Sequence, residues 1–337
     1  MPLVAVGITY RAIQRLFLEP ASPSDTSAVT VDVTSDKSFK ELAQELEQRG
    51  LVRTSLSLRV IARLQKIDKE LKAGEYALSP SMTPEEILAK IVRGETVLRR
   101  ATVREGLRSS EIGALFEAAG ITGKADFDQA LADRSLAEEL GIPAPSLEGY
   151  LFPDTYSFPR NTPARKIIAA MKAQFDSHWG AEWSARAQEL GRTRHEIVTL
   201  ASIIEKESGS AEEQPRIASV FYNRLRVGMR LQSDPTVIYG ITNFNGNLTK
   251  ADLLAPTPYN TYVIDGLPPG PIANPGLSAL TAALYPETTG LFFFVGNGMG
   301  RHVFSANLDD HNRAVDQFQR GGAQPRHGAA PGTQPTP

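Results

Sequence analysis

Residues 231–275 are rich in Asp, Asn, Tyr, Pro and Gly and follow neither a helical nor a strand period. A stretch this long without regular structure, inside a compact domain, is either disordered or organised around a function. Tyr239, Tyr259 and Tyr262 argue for order, because disordered segments are poor in aromatic residues. The fold must therefore wrap regular elements around an ordered irregular segment. The flanks supply them: helical patterns over 163–190, 194–208 and 214–227 on one side, and LFFFVGNGMGRHVFS followed by a helix over 308–320 on the other. GNGMG has the look of a phosphate loop, but its place between two strand-like runs makes it a hairpin turn in which Gly and Asn take positive φ.

The N-terminal part has a different rhythm. VTVDV reads as a strand, and Phe39, Leu42, Ala43 and Leu46 fall at helical spacing behind a Ser38/Glu41 capping box. A helix over 55–67, a strand in LKAGEYALSP entered through Gly74, and a helix in MTPEEILAKIVRGE with Thr83 as N-cap and Pro84 at N1 complete a βααβ module. The module is about 70 residues, near the lower limit for independent folding. TVLRRATVREG reads as a strand into a connecting region, followed by helices over 109–119 and 126–133. LEGYLFPDTYSFP, with its aromatics and prolines, reads as irregular. At the N-terminus the apolar run over residues 3–8 is broken by Arg11, Gln14 and Arg15, well short of the roughly 20 residues that span a bilayer. Residues 21–28 read as a linker and those from 321 as a disordered tail.

Composition removes several functional classes. A formal charge of -2 gives no electrostatic case for nucleic acid. The chain has no cysteine, hence no thiolate nucleophile and no Cys-based zinc site, and its five histidines show no HExxH-type spacing. A metal enzyme is not expected.

The chemistry-bearing stretch is LASIIEKESG. At about 100° per residue, Ile197, Leu200, Ala201 and Ile204 form an apolar stripe and Lys206 points away from it. Glu205 and Glu207 fall on opposite edges of that stripe, so periodicity does not choose between them. Their neighbours favour Glu205, which has Ala201, Ser202 and Ser208 around it, whereas Glu207 lies beside Ile203 and Ile204. A carboxyl half-sunk in a roomy apolar cleft has a raised pKa and suits a general acid. As plain flanking charges, both would sit unfavourably near a helix C-terminus.

LEGYLFPDTY, LASIIEKES, VFYNRLRVGMRLQSDPTVIYG, PYNTYVIDGLPPGPIANPG and HVFSANLDDHN, in that order, resemble the successive motifs of the endolytic murein transglycosylases, the YceG/MltG-like family. The resemblance implies an α+β chain: residues 1–28 a shortened membrane-anchor remnant and linker, 29–103 a LysM-like module, 104–320 a larger, helix-rich catalytic domain, and 321–337 a disordered tail. It implies cleavage of the MurNAc-β-1,4-GlcNAc bond within peptidoglycan strands to leave 1,6-anhydro-MurNAc ends, terminating nascent strands. It implies no cofactor, and placement on the outer face of the bacterial cytoplasmic membrane. Peptidoglycan synthases are the implied protein partners. The family's catalytic glutamate is matched to Glu205. Asn223, Gln232, Asp234, Asn260 and Tyr262 are matched to substrate-binding positions, each alternatively a satisfied turn or cap. Tyr156, Tyr239 and Tyr259 are candidates for stacking on sugars or for core. Glu148 is a candidate second carboxylate or a structural group. Two other readings are a peptidoglycan-binding protein without activity and a hydrolytic muramidase pairing Glu205 with Asp234 or Glu148.

Overall fold

The structure, a computed structural model, describes residues 15–144 and 146–320, without the side chain of Arg320. The apolar run over residues 3–8 and the tail from 321 lie outside the described residues. The chain is mixed α and β, and each sheet among the described residues is a two-stranded antiparallel ladder. It divides into two compact units. Within the described residues, one comprises 15–102, 113–127 and 155–164; the other comprises 103–112, 128–144, 146–154 and 165–320.

In the first unit β1 (Val29–Val33) is followed by α1 (Phe39–Gln48), α2 (Ser55–Gln65), β2 (Gly74–Leu78), α3 (Pro84–Arg93) and β3 (Arg99–Thr102). β1 and β2 pair with Val31 opposite Tyr76, and Val31 and Val33 turn inward to meet Leu42, Leu46, Leu58, Leu78, Ile87 and Ile91 in a closed core. The capping signals act as read: Ser38 and Glu41, and Thr83 and Glu86, exchange reciprocal bonds, and Gly94 ends α3 in the left-handed region. The buried Tyr76 hydroxyl donates to the Lys72 and Ile91 carbonyls. The 21–28 stretch is tied down rather than loose, since Ser22 N–H donates to Pro80 O and Ser79 Oγ donates to Asp25 O. After α4 (Ser109–Ala118), α5 (Lys124–Ala132) and α6 (Arg134–Glu139), the aromatic stretch read as irregular ends in a strand, β4 (Thr155–Phe158). β4 pairs with β3, and Tyr156 and Phe158 pack on Phe116 with Phe127 behind. Tyr156 is thus a core residue.

In the second unit α7 (Ala164–His178), which runs into it from the first, and α8 (Ala181–Glu189) lead to α9 (Arg194–Glu207), α10 (Gln214–Arg226), α11 (Asp234–Gly240), α12 (Lys250–Leu254) and α13 (Leu277–Leu284). The hairpin of β5 (Phe293–Gly296) and β6 (His302–Ser305) and then α14 (Leu308–Val315) follow. α9 packs against α10 and α13. It does not carry a one-sided stripe: residues 197–204 are all buried, the signature of a helix enclosed on every side. Its start is fixed by a Thr193/Glu196 capping box, and Ser202 Oγ donates to Thr199 O while accepting from Ile272 N–H at 3.0 Å.

Candidate active site

Because α9 is enclosed, its two glutamates stand where the helix emerges, and the surroundings of each are set by other segments. Glu207 projects into a cavity of about 460 Å³. Gln232, Asp234, Tyr262, Arg224, His302 and His311 share its wall, with Phe293 and Phe294 from β5. Ser233 Oγ donates to Glu207 Oε1 at 2.5 Å. Burial pushes the Glu207 carboxyl up to about 7; Asp234 adds to the rise, and Ser233, His302 and Arg224 oppose it. A carboxyl of this kind is an acid and a base near neutral pH.

The segment 231–275, read as irregular but carrying the short helices α11 and α12, is what builds this wall. Gln232 adopts φ +49°, uncommon without glycine, and its N–H donates to Thr261 O at 3.1 Å. Ser233 N–H donates to Thr261 Oγ1, and Thr236 Oγ1 donates to Ser233 O, so Ser233 is held from both sides. Asp234 opens α11 and accepts from Tyr262 OH at 2.7 Å. Arg224 is 6% exposed; its guanidinium donates to Phe292 O and Leu231 O and lies over the Phe293 ring. Burial pulls its pKa down, and the negative charge of Glu207 pushes it back up.

Of the five residues matched to substrate binding, Gln232, Asp234 and Tyr262 line the cavity and Asn223 and Asn260 do not. Asn223 Nδ2 donates to Thr289 O and Leu291 O, and its Oδ1 accepts from Arg226. Asn260 is fully buried, with Nδ2 directed at the carbonyls of Asp252, Leu253 and Ala255 and Oδ1 accepting from Tyr262 N–H. Both amides hold loops in place.

Glu205 faces a different neighbourhood. Its Oε2 accepts from Gly276 N–H at 3.0 Å, at the N-cap of α13. Gly106, at φ +74°, backs its Cγ, and Lys206 Nζ donates to Gly106 O at 3.1 Å. A Cβ on Gly276 would overlap the Glu105 carboxylate, so two acidic side chains converge on this helix start. Burial is the largest cause of a raised Glu205 pKa; the Gly276 N–H opposes it and Glu105 reinforces it. Glu205 is not part of the cavity wall that holds Glu207.

Glu148 is 6% exposed, and burial pushes its carboxyl up to about 7. It accepts from Ser109 N–H, Ser109 Oγ and Asn274 Nδ2 on one oxygen and from Tyr239 OH on the other. Asn274, also buried, uses its Oδ1 for the N–H groups of Gly149 and Leu151. This is a saturated framework. Tyr239 packs on Tyr259 and carries Arg108 over its ring. Sequence reasoning passed over Asn274, Arg224 and the pair His302–Glu213. Asn274 had a signal, a lone amide between the apolar Ile272–Ala273 pair and Pro275; the others had none.

The YceG-like family model matches residues 31–317. The chain is 32% identical over 317 residues to the endolytic murein transglycosylase of Bacillus subtilis (strain 168), covering 89% of this chain and 88% of that protein. It is 31% identical over 330 residues to the endolytic murein transglycosylase of Streptococcus pneumoniae serotype 2 (strain D39 / NCTC 7466), covering 88% of this chain but 60% of that protein. The crystal structure of a YceG-like protein, lmo1499, from Listeria monocytogenes superimposes with a TM-score of 0.59 at 34% identity, over 85% of this chain and 98% of that one. With the family pattern running through both units and the cavity, this chain belongs to the YceG-like family.

Proposed function

We propose that this protein is an endolytic peptidoglycan lytic transglycosylase, cleaving the MurNAc-β-1,4-GlcNAc bond within glycan strands, and that Glu207 rather than Glu205 is its proton donor. The observation that carries the choice is the shared cavity. Glu207 stands in it with Gln232, Asp234 and Tyr262, whereas Glu205 is turned toward Gly276 and Glu105. Family membership supports the reaction class.

Glu207, still protonated near neutral pH, gives its proton to the leaving glycosidic oxygen. The muramoyl C6 hydroxyl attacks C1, so no water is consumed and a 1,6-anhydro end results. Asp234, held by Tyr262, faces the same space and opposes the positive charge that develops at C1. In the minimal form of the mechanism, Glu207 as carboxylate then takes the C6 hydroxyl proton.

The test is digestion of purified peptidoglycan by wild type, Glu207→Gln and Glu205→Gln, with product masses. Anhydro ends from wild type and from Glu205→Gln, and none from Glu207→Gln, is the expected result. Loss in Glu205→Gln with activity retained in Glu207→Gln would return the acid to Glu205. Products heavier by one water would mean hydrolysis, and no products from wild type would mean a binding protein.

The remaining parts of the reading are proposals of the same kind. Residues 29–103 act as a LysM-like module that holds GlcNAc-containing strands; the β1-α1-α2-β2 order supports this, as does a cavity of about 290 Å³ with Asp32, Ser35, Glu75 and Arg160 in its wall. Residues 104–320 act as the catalytic region. Attachment to the outer face of the cytoplasmic membrane rests on the apolar residues 3–8, as no helix among the described residues is long and apolar enough to cross a membrane. Peptidoglycan synthases are the partners that strand termination would require.

A further inference from the structure

The cavity contains a second proton-handling group that the minimal mechanism does not use. His302, the first residue of β6, lines the wall shared with Glu207. It is gripped twice by Glu213, the last residue of the short 3₁₀ turn before α10: its backbone N–H donates to Oε1 at 3.1 Å and its ring Nδ1 lies 2.9 Å from Oε2. Both side chains are largely buried, at 13% and 12% exposure, and the imidazole is packed edge-on to Phe294 and beside Phe304. Burial alone would raise the Glu213 carboxyl; the two bonds from His302 outweigh it and hold the pKa below the ordinary value. An ionised carboxylate only accepts, so the proton between the two lies on Nδ1. Nε2 is then the nitrogen with a free lone pair whenever the ring is neutral.

We infer that His302 is the general base of the transglycosylation, taking the C6 hydroxyl proton at Nε2, and that Glu213 is the positioning residue that fixes its tautomer and orientation. This deepens the reaction proposed above and rests on it. As O6 bonds to C1, the C1–O4 bond breaks and its electron pair goes to O4, which receives the Glu207 proton, while the O6 proton passes to Nε2. Atoms and charge balance without water or any co-reactant. The imidazolium and the Glu207 carboxylate are left, and proton return through solvent resets both. The charged and titratable groups around the ring are Glu213 and Arg301 on its own side and Glu207, Arg224, Asp234, Tyr262 and His311 around the cavity. A division of labour between two groups removes the need for one carboxyl to donate and accept within a single step.

The experiment measures kcat and KM against pH on soluble, uncross-linked glycan strands for wild type, His302→Ala and Glu213→Gln, with Glu207→Gln in parallel. His302→Ala should lower kcat about 100-fold or more while KM moves little, and added imidazole should restore part of the rate in proportion to its neutral form. Glu213→Gln should lower kcat while KM moves little, because an amide can donate as well as accept and no longer fixes the tautomer of the ring. A kcat for His302→Ala within about tenfold of wild type, or a larger loss that imidazole does not rescue, overturns the inference. If His302→Ala fails to fold by near-UV circular dichroism, Glu213→Gln decides, and a kcat for it within about twofold of wild type overturns the inference. Activity lost in Glu207→Gln but kept in both His302 and Glu213 variants sinks this inference alone; anhydro products from Glu207→Gln sink the assignment of the acid.

Discussion

The burial of Glu207 makes a thermodynamic demand that can be separated from catalysis. Moving a carboxyl from 4.5 to about 7 means that folding penalises its ionised form by about 3 kcal/mol when fully expressed. The sign follows from the raised value: the penalty is absent while the unfolded chain is still protonated, grows as pH rises past 4.5, and is complete above about 7. Glu207→Gln keeps an acceptor for the Ser233 hydroxyl but cannot ionise. Its stability relative to wild type should therefore rise by about 2–3 kcal/mol between about pH 5 and about pH 8, as every other titrating group cancels in the difference. Urea unfolding of both proteins at the two pH values, with a common slope, reads this directly. A difference that stays constant within about 0.5 kcal/mol would mean that Glu207 is well solvated or ion-paired, and the proton-donor environment would have to be given up. The same variant should lose at least about 100-fold in formation of anhydro ends, so activity falls while neutral-pH stability rises.

Glu205→Gln should retain activity within about tenfold of wild type, measured as anhydro ends released per minute, because Gly276 N–H still finds an oxygen and the cavity is untouched. Asn274→Ala removes the partner of two buried N–H groups and of Glu148, and should cost about 2–4 kcal/mol in a urea titration; a loss under about 1 would refute its framework role. Tyr262→Phe deletes the bond that orients Asp234 and should lower kcat more than it raises KM, with little change in melting temperature.

The parts of the fold with local signatures could be read from the sequence. Ser38, Thr83, Pro84 and Gly94 do what their side chains and φ preferences demand over a few residues, and helices α1 and α3 follow. The β3–β4 ladder could not be read. Arg99 pairs with Phe158 across an interval that includes three helices, and TYSF, embedded in prolines, has no turn signal pointing to its partner. The choice between the two glutamates failed to be legible for a related reason. A helical wheel orients a helix only when one face is apolar and the other wet, whereas residues 197–204 are buried all round. What surrounds each glutamate then depends on segments far along the chain, Ser233 and the β5–β6 hairpin for Glu207 and Gly276 for Glu205. The long irregular segment announced its importance through its tyrosines, and it supplies Gln232, Asp234 and Tyr262 to the cavity; Asn260, of the same composition, went to holding that segment in shape.

The enclosure of α9 also sets when the site can fail. Backbone amides along residues 197–204 have no surface to fray from, so their exchange with solvent deuterium should require opening of the whole second unit. Glu207, the proposed proton donor, is carried at the end of that stretch, while Ser233 and Asp234 stand at the start of the 7-residue helix α11, where fewer helical bonds hold the backbone. On warming, the carboxyl would stay in place as its hydroxyl partner drifts away, and activity would decline over a temperature range in which the α9 amides are still fully protected.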